Sequence, residues 1–280
     1  MFTRYLLVAG GAVLLAGTSA AQSRYLFSIN WHGPTVGMPS PSGVAITEGD
    51  ILTPTTGTSS PALGPLPTPS IAISHAPGLG LPPGCAGHPG GTPCIVEVDA
   101  YSRGIDSFFL PNNPIEPGDV LFSVDEFAMG MPFPGAPAPN VTTESAAREA
   151  APDAFTNLGP LPPGPVPPAP TPNIGVVDGD GLPSASGFAY PGVGEIAPTT
   201  PFGGLPDTGD NKDAVDLVEP FGGGGGVGNY FSLDAAFFDP LEGVPNSGSA
   251  LANGFFGGDV LPLGAVGAPI VYAPSIVLGL

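Results

Sequence analysis

Positive charge is the scarcest feature of this 280-residue sequence: Lys and Arg number 5, against 24 Asp and Glu. A formal net charge of −19 excludes direct recognition of a nucleic-acid phosphate backbone, which requires a basic face. Histidine is nearly as rare. His32, His75 and His88 are the only imidazoles, so a Ser-His-Asp triad would have to use one of them. Ser74 adjoins His75, and adjacent side chains on a strand point to opposite faces, which argues against that pair as nucleophile and base. His32 adjoins Trp31, the one Trp, and reads as part of a packed turn. Neither a G-x-S-x-G elbow nor an H-E-x-x-H zinc motif occurs. No catalytic residue is assigned.

Long apolar runs are confined to the start. Arg4 precedes an apolar stretch from Tyr5 to Gly17, and small residues follow at Thr18-Ser19-Ala20-Ala21. That is the pattern of a cleaved secretory signal over residues 1–21, and it is shorter than the roughly 20 apolar residues a membrane span needs. Cleavage removes Arg4 and no acid, so the charge moves from −19 to −20. The expected compartment is extracellular or periplasmic, with no transmembrane segment in the mature chain.

Cysteine occurs twice, as Cys85 and Cys94 in Gly-Cys-Ala-Gly-His-Pro-Gly-Gly-Thr-Pro-Cys. In an exported chain such a pair reads as a disulfide closing a small loop. The competing reading joins His88 to both thiols as a metal site, with no fourth ligand nearby in sequence.

What the sequence has in quantity is Gly and Pro, 44 and 40 residues. They lack the every-third-Gly period of collagen. Disorder is opposed by 42% hydrophobic residues and 16 Phe. The chain repeats itself instead. Tyr25-Leu26-Phe27-Ser28-Ile29-Asn30 recurs as Val120-Leu121-Phe122-Ser123-Val124-Asp125 and as Asn229-Tyr230-Phe231-Ser232-Leu233-Asp234. Each copy leads to an apolar element opened by Asp: Asp50-Ile51-Leu52, Asp153-Ala154-Phe155 and Asp259-Val260-Leu261. Ala76-Pro77-Gly78-Leu79-Gly80-Leu81 has a counterpart in Ala273-Pro274 through Leu280, and Val96 to Tyr101 one in Asp213 to Leu217.

These segments alternate apolar and polar residues, as half-buried strands do, and the Pro and Gly between them exclude long helices. The expected fold is all-β, with tandem β-rich units arranged as a sandwich or propeller, Pro/Gly-rich linkers and little helix. The units are placed at 22–115, 116–225 and 226–280, the last partial. Its apolar end at Leu280, without the expected Asp-rich segment, implies a truncated chain. A short helix is expected within Thr142–Phe155, stopped by Pro152. Polyproline linker is expected over about 158–174, with a milder version at 53–70.

Two acidic runs suggest a hard cation such as calcium, which takes oxygen ligands from flexible Gly-bearing loops. One holds Asp178 and Asp180, and the other Asp207, Asp210, Asp213 and Asp216. Neither is an EF-hand, since Ala189 stands where the bidentate Glu belongs and Leu182 at the fifth loop position. The plainer reading has Asp and Gly filling solvated turns. Gly222 to Gly228 formally contains G-x-G-x-x-G, but a strand-like segment follows where a dinucleotide site needs a helix. Asn140-Val141-Thr142 fits the N-glycosylation pattern.

The repeated Phe-Ser-[Ile/Val/Leu]-[Asp/Asn], Asp-Val-Leu and Val-Asp-Ala landmarks resemble those of large secreted repeat proteins of environmental bacteria such as planctomycetes, over most of residues 24–280. That resemblance implies an exported repeat protein and transfers no activity or site residue. The expected function is structural, adhesive or surface-associated, with cell-surface or extracellular-matrix partners and calcium as a stabilising ion. The alternative is a secreted hydrolase of polysaccharide or ester substrates.

Overall fold

The computed structural model describes residues 26–29, 34–55, 68–81, 96–102, 120–125, 128, 136–147, 149–159, 171–182, 187–188, 190–195, 210–216, 230–233, 253–256, 258–262 and 270–278. Residues 1–21, where the signal is expected, Trp31, His32, Cys85, His88, Cys94, Asp207 and residues 222–228 lie outside them. The described chain is mostly short antiparallel strands with little helix, as the alternating patterns predict.

Three small sheets form among the described residues. The first pairs β1 (Ile51–Thr53) with β2 (Ser70–Ile73), and a bridge from Phe27 to Leu52 adds a third line of backbone. The second runs β3 (Tyr101–Ser102), β4 (Leu121–Phe122), β5 (Ala154–Asn157) and β6 (Asn173–Val177) in that order. The third runs β7 (Lys212–Asp216), β8 (Tyr230–Leu233) and β9 (Leu261–Pro262), and a bridge from Val260 to Ala273 extends it.

Registers agree across the sheets. The Phe of each Phe-Ser segment lies opposite the second residue after the Asp of the next element: Phe27 with Leu52, Phe122 with Phe155, and Phe231 with Leu261. In the first two sheets the ladder shifts at the same place, between Ile51 and Leu52 and between Ala154 and Phe155. Such bulges increase local twist and re-aim the strand.

Alternation then sorts side chains between two cores. Phe122, Val124 and Phe155 face one way and pack with Ile51, Ile73, Leu79, Leu81, Val96 and Val98. Leu121, Ala154 and Val177 face the other way and pack with Val215, Phe231, Leu233 and Leu261. The second sheet is therefore apolar on both faces, with the first sheet's core on one side and the third's on the other. The Phe122 and Phe155 rings sit 5.9 Å apart at a 36° tilt, and each fully buried Phe contributes about 1.5–3 kcal/mol. A smaller cluster of Ile46, Leu52 and Ile71, with Ile29 against it, lies on the far side of the first sheet.

Residues 56–67 and 160–170 of the Pro-rich segments lie outside the described residues; the described ends of these segments lie between β1 and β2 and between β5 and β6, where Leu158 N–H donates to Pro172 O at 2.9 Å. One helix boundary changes. The helix within 142–155 is α1 (Val141–Ala147), because Asn140 Oδ1 accepts Thr142 N–H at 3.0 Å and Thr143 N–H at 3.1 Å and so sets the start early. The Asn140 amide also donates to Pro137 O at 2.8 Å, which engages the sequon side chain internally. A second short helix, α2 (Ser275–Leu278), and a π-helical turn (His75–Leu79) follow the last strand positions of the third and first sheets. No helix among the described residues is long and apolar enough to cross a membrane.

Candidate functional site

Three buried aspartates stand at corresponding points. Asp50, Asp153 and Asp259 are 1%, 1% and 4% exposed. The residue after each begins a strand-paired segment: Ile51 lies opposite Ile73, Ala154 opposite Val177, and Val260 opposite Ala273. Two residues past each partner, a backbone N–H points back at the carboxylate. His75 donates to Asp50 at 2.8 Å, Gly179 to Asp153 at 2.9 Å, and Ser275 to Asp259 at 2.7 Å. Asp50 and Asp259 also accept the amides of Thr47 and Phe256, three residues upstream. Burial raises the cost of the Asp259 charge, but its backbone bonds from Ser275 and Phe256, with the Ser275 side chain, hold its carboxyl below the ordinary 3.8.

His75 completes the first of these points. Its Nδ1 lies 2.9 Å from Asp50 Oδ1 and 3.0 Å from Thr47 Oγ1. Both partners crowd one nitrogen. A catalytic triad needs the carboxylate on one nitrogen and the nucleophile on the other, so Thr47, His75 and Asp50 do not form one.

Around Asp153 the carboxylate extends into a larger network between the second and third sheets. Tyr190 donates its hydroxyl to Asp153 at 2.5 Å. The ring reaches there because residue 175 is Gly; a Cβ at that position would meet Tyr190 ring atoms at 2.9 Å. Burial pushes the Asp153 carboxyl well above its ordinary range, against the Tyr190 and Gly179 hydrogen bonds, and the neighbouring Glu144 charge adds to the rise. Burial also raises the Tyr190 phenol, with the Asp153 charge next in effect.

Lys212 is the cation of this network. It is fully buried at the start of β7, and its Nζ donates to Glu195 Oε2 at 2.7 Å. The ammonium also lies 5.3 Å from the Phe231 ring centroid, within cation–π range. Desolvation pushes Glu195 up to about 8, opposed by the Lys212 charge and assisted by Asp210 and Asp178. The second Glu195 oxygen has no hydrogen-bond partner among the described residues. Ser123, the Ser of the second Phe-Ser segment, bonds the Lys212 carbonyl at 2.9 Å and accepts Ala100 N–H at 3.0 Å. One hydroxyl thus ties β7 to the approach of β3.

The described members of the two acidic runs take different places. Asp178 turns Oδ1 to Gly181 N–H at 2.8 Å, and Asp180 turns Oδ1 to Leu182 N–H at 2.7 Å, so both stiffen their own loop. Desolvation, with Asp180 close by, raises Asp178 to about 6. Asp210 is buried beside Glu195, whereas Asp213 and Asp216 are exposed on β7. Among the described residues, no three His, Cys, Asp or Glu side chains converge as a metal site. Asp207, Cys85 and Cys94 lie outside the described residues.

Sequence reasoning passed over Glu195, Tyr190 and Lys212 as site residues. One signal was available for Lys212: it is one of only 5 basic residues and sits inside an Asp run. Chemically the network is closed. Asp153, Glu195, Asp210 and Lys212 are at most 3% exposed, which suits charge pairing and proton sharing between sheets more than contact with a substrate.

No protein-family model, no curated protein and no solved structure matches the chain.

Proposed function

We propose that this protein is an exported, acidic β-repeat protein with a structural or adhesive role at a cell surface or in extracellular matrix. The observation that carries the reading is the threefold recurrence of one arrangement: a Phe-Ser segment, an antiparallel partner opened by a buried Asp, and a backbone N–H returned to that Asp. The reading places units at 22–115, 116–225 and 226–280. β3 of the first span pairs with β4 of the second, and β7 of the second pairs with β8 of the third, so each of the first two spans gives a strand to the sheet of the next. Export rests on the signal pattern at residues 1–21, and the Cys85–Cys94 disulfide belongs to the same compartment. Calcium enters as a counter-ion for exposed carboxylates such as Asp213 and Asp216, relieving self-repulsion at a net charge of −19.

Fractionation of the source organism with an antibody to the mature chain tests the reading. Recovery in envelope or extracellular material supports it, and recovery in the cytoplasm contradicts it. Turnover of polysaccharide or ester substrates by the purified protein would favour a hydrolase instead. Melting with millimolar calcium and then chelator tests the cation separately, since a ligand that binds the native state raises its melting temperature.

A further inference from the structure

Lys212 is the one lysine of the chain; the other basic residues are Arg4, Arg24, Arg103 and Arg148. Lysine is the side chain least at home in a protein interior, yet its side chain and that of Glu195 are both 0% exposed. Its Nζ lies 2.7 Å from Glu195 Oε2 and 5.3 Å from the centre of the Phe231 ring. An arginine here would keep its charge at any pH. A lysine beside a carboxyl group can hand over a proton and become a nucleophilic amine.

Both partners are held through their backbones. Lys212 lies opposite Leu233, and the β7–β8 register shifts between Lys212 and Ala214, with Lys212 turned inward and Asp213 exposed. Ser123 donates to the Lys212 carbonyl at 2.9 Å. On the other side, Glu195 N–H donates to Gly179 O at 2.8 Å and Val193 N–H to Asp178 O at 3.2 Å. Residue 195 is thereby fixed beside the bridge from Asp178 to Gly192. An amine and a carboxyl group held in this way, out of water, gain the high effective concentration of an intramolecular reaction.

We propose that Lys212 and Glu195 join as an amide, a covalent link that forms once the chain has folded. The pair shares one proton as ammonium and carboxylate. Passing it along the 2.7 Å hydrogen bond gives amine and carboxylic acid, and burial favours that uncharged form. The amine nitrogen bonds to Glu195 Cδ, the Cδ–OH bond breaks, and one amine proton departs with the hydroxyl as water. Nothing is oxidised or reduced, and no co-reactant enters. The product replaces two buried charges by one neutral amide. It ties β7 of the third sheet to the segment hydrogen-bonded at the end of β6, 17 residues away in sequence, so the two cannot part without breaking a covalent bond. The inference goes beyond the proposed surface role and does not depend on it. Chains in which the bond has not formed keep the ion pair, with the stability and pH behaviour that its charges set.

Mass spectrometry of the purified full chain, denatured and digested with trypsin, tests this. Trypsin cuts after unmodified Lys and Arg. The expected result is a peptide that begins at Glu149, runs uncut through Lys212 and weighs one water less than its sequence, with fragment ions joining Glu195 to Lys212. Lys212→Arg keeps the cation and removes the nucleophile, so the cut after position 212 and the full mass return. Glu195→Ala keeps the amine and removes its target, with the same result at Lys212. The wild-type digest decides the question even where a variant fails to fold. Complete cutting after Lys212, or an uncut peptide at its full sequence mass, overturns the proposal. A water lost while Lys212 is still cut would mark ring closure at Asp178-Gly179 or Asp180-Gly181, and overturns it as well.

Discussion

The carboxylate of Asp50 accepts the backbone N–H of His75 at 2.8 Å across 25 residues of sequence. Gly179 stands to Asp153, and Ser275 to Asp259, as His75 stands to Asp50. Each bond closes the junction where the strand opened by Asp meets the one returning beside it. A buried carboxylate costs free energy unless it is hydrogen-bonded, and here backbone donors meet that need while fixing the path of the chain.

Replacing these aspartates by Ala leaves a buried amide without its acceptor. Asp50→Ala, Asp153→Ala and Asp259→Ala are each expected to lower unfolding free energy by about 1–3 kcal/mol. Urea titration measures this. Losses below about 0.5 kcal/mol, the range of ordinary surface substitutions, would remove the aspartates from a structural role.

Lys212 and Glu195 form a buried pair, so removing one partner costs more than removing both. Above pH 8, where Glu195 is ionised, Glu195→Gln or Lys212→Met alone is expected to destabilise by about 3–5 kcal/mol, because one charge is stranded. The double variant Glu195→Gln/Lys212→Met is expected to recover most of that loss. Additive losses in the double variant would show that the two residues act independently.

The same network sets a pH dependence. Asp178 and Glu195 hold their protons more tightly in the folded state, with values raised from 3.8 to about 6 and from 4.5 to about 8. Their contribution is therefore greatest below pH 4 and falls as pH rises through 6 and 8. Asp259, lowered from 3.8, acts in the opposite sense, and its contribution is lost on further acidification. Melting temperature is expected to peak on the acid side of neutrality and decline toward pH 8. The decline flattens in the Glu195→Gln/Lys212→Met variant. A melting temperature that climbs steadily from pH 5 to 8 contradicts the assignment.

Gly175 makes room for the Tyr190 ring. Gly175→Val places a branched side chain against it, and the expected result is loss of the Tyr190–Asp153 hydrogen bond with a destabilisation of about 1–3 kcal/mol from overpacking. Tyr190→Phe keeps the ring and removes only the hydroxyl, so it separates the two effects. Equal stability of Gly175→Val and wild type would show that the ring moves freely.

Much of the strand content was legible because Phe-Ser-Val-Asp and its relatives alternate, and because the Asp-opened partners recur at the same point after them. Phe27, Phe122 and Phe231 declared themselves by sequence, and their pairing partners are the second residues after the repeated Asp. Stacking order was not legible. Which face of a strand meets the preceding sheet depends on register, and one residue of slip would exchange Leu121 and Phe122 between the two cores. The Lys212–Glu195 pair was hidden for a related reason. Its members are 17 residues apart on different elements, and a surface ion pair and a buried one look alike in sequence. In the acidic run, spacing by three does not keep side chains on one face of a strand, and Asp210 is buried while Asp213 and Asp216 are exposed.

Hydrogen exchange at the amides of His75, Gly179 and Ser275, followed by NMR in the wild type and in the three Asp→Ala variants, tests the central claim most directly. The predicted result is slow exchange at all three amides in the wild type, with protection lost in each variant chiefly at the amide facing the missing carboxylate. Amides that exchange at the free-chain rate in the wild type, or protection unchanged when the facing aspartate is removed, would contradict the claim that one buried Asp closes each unit.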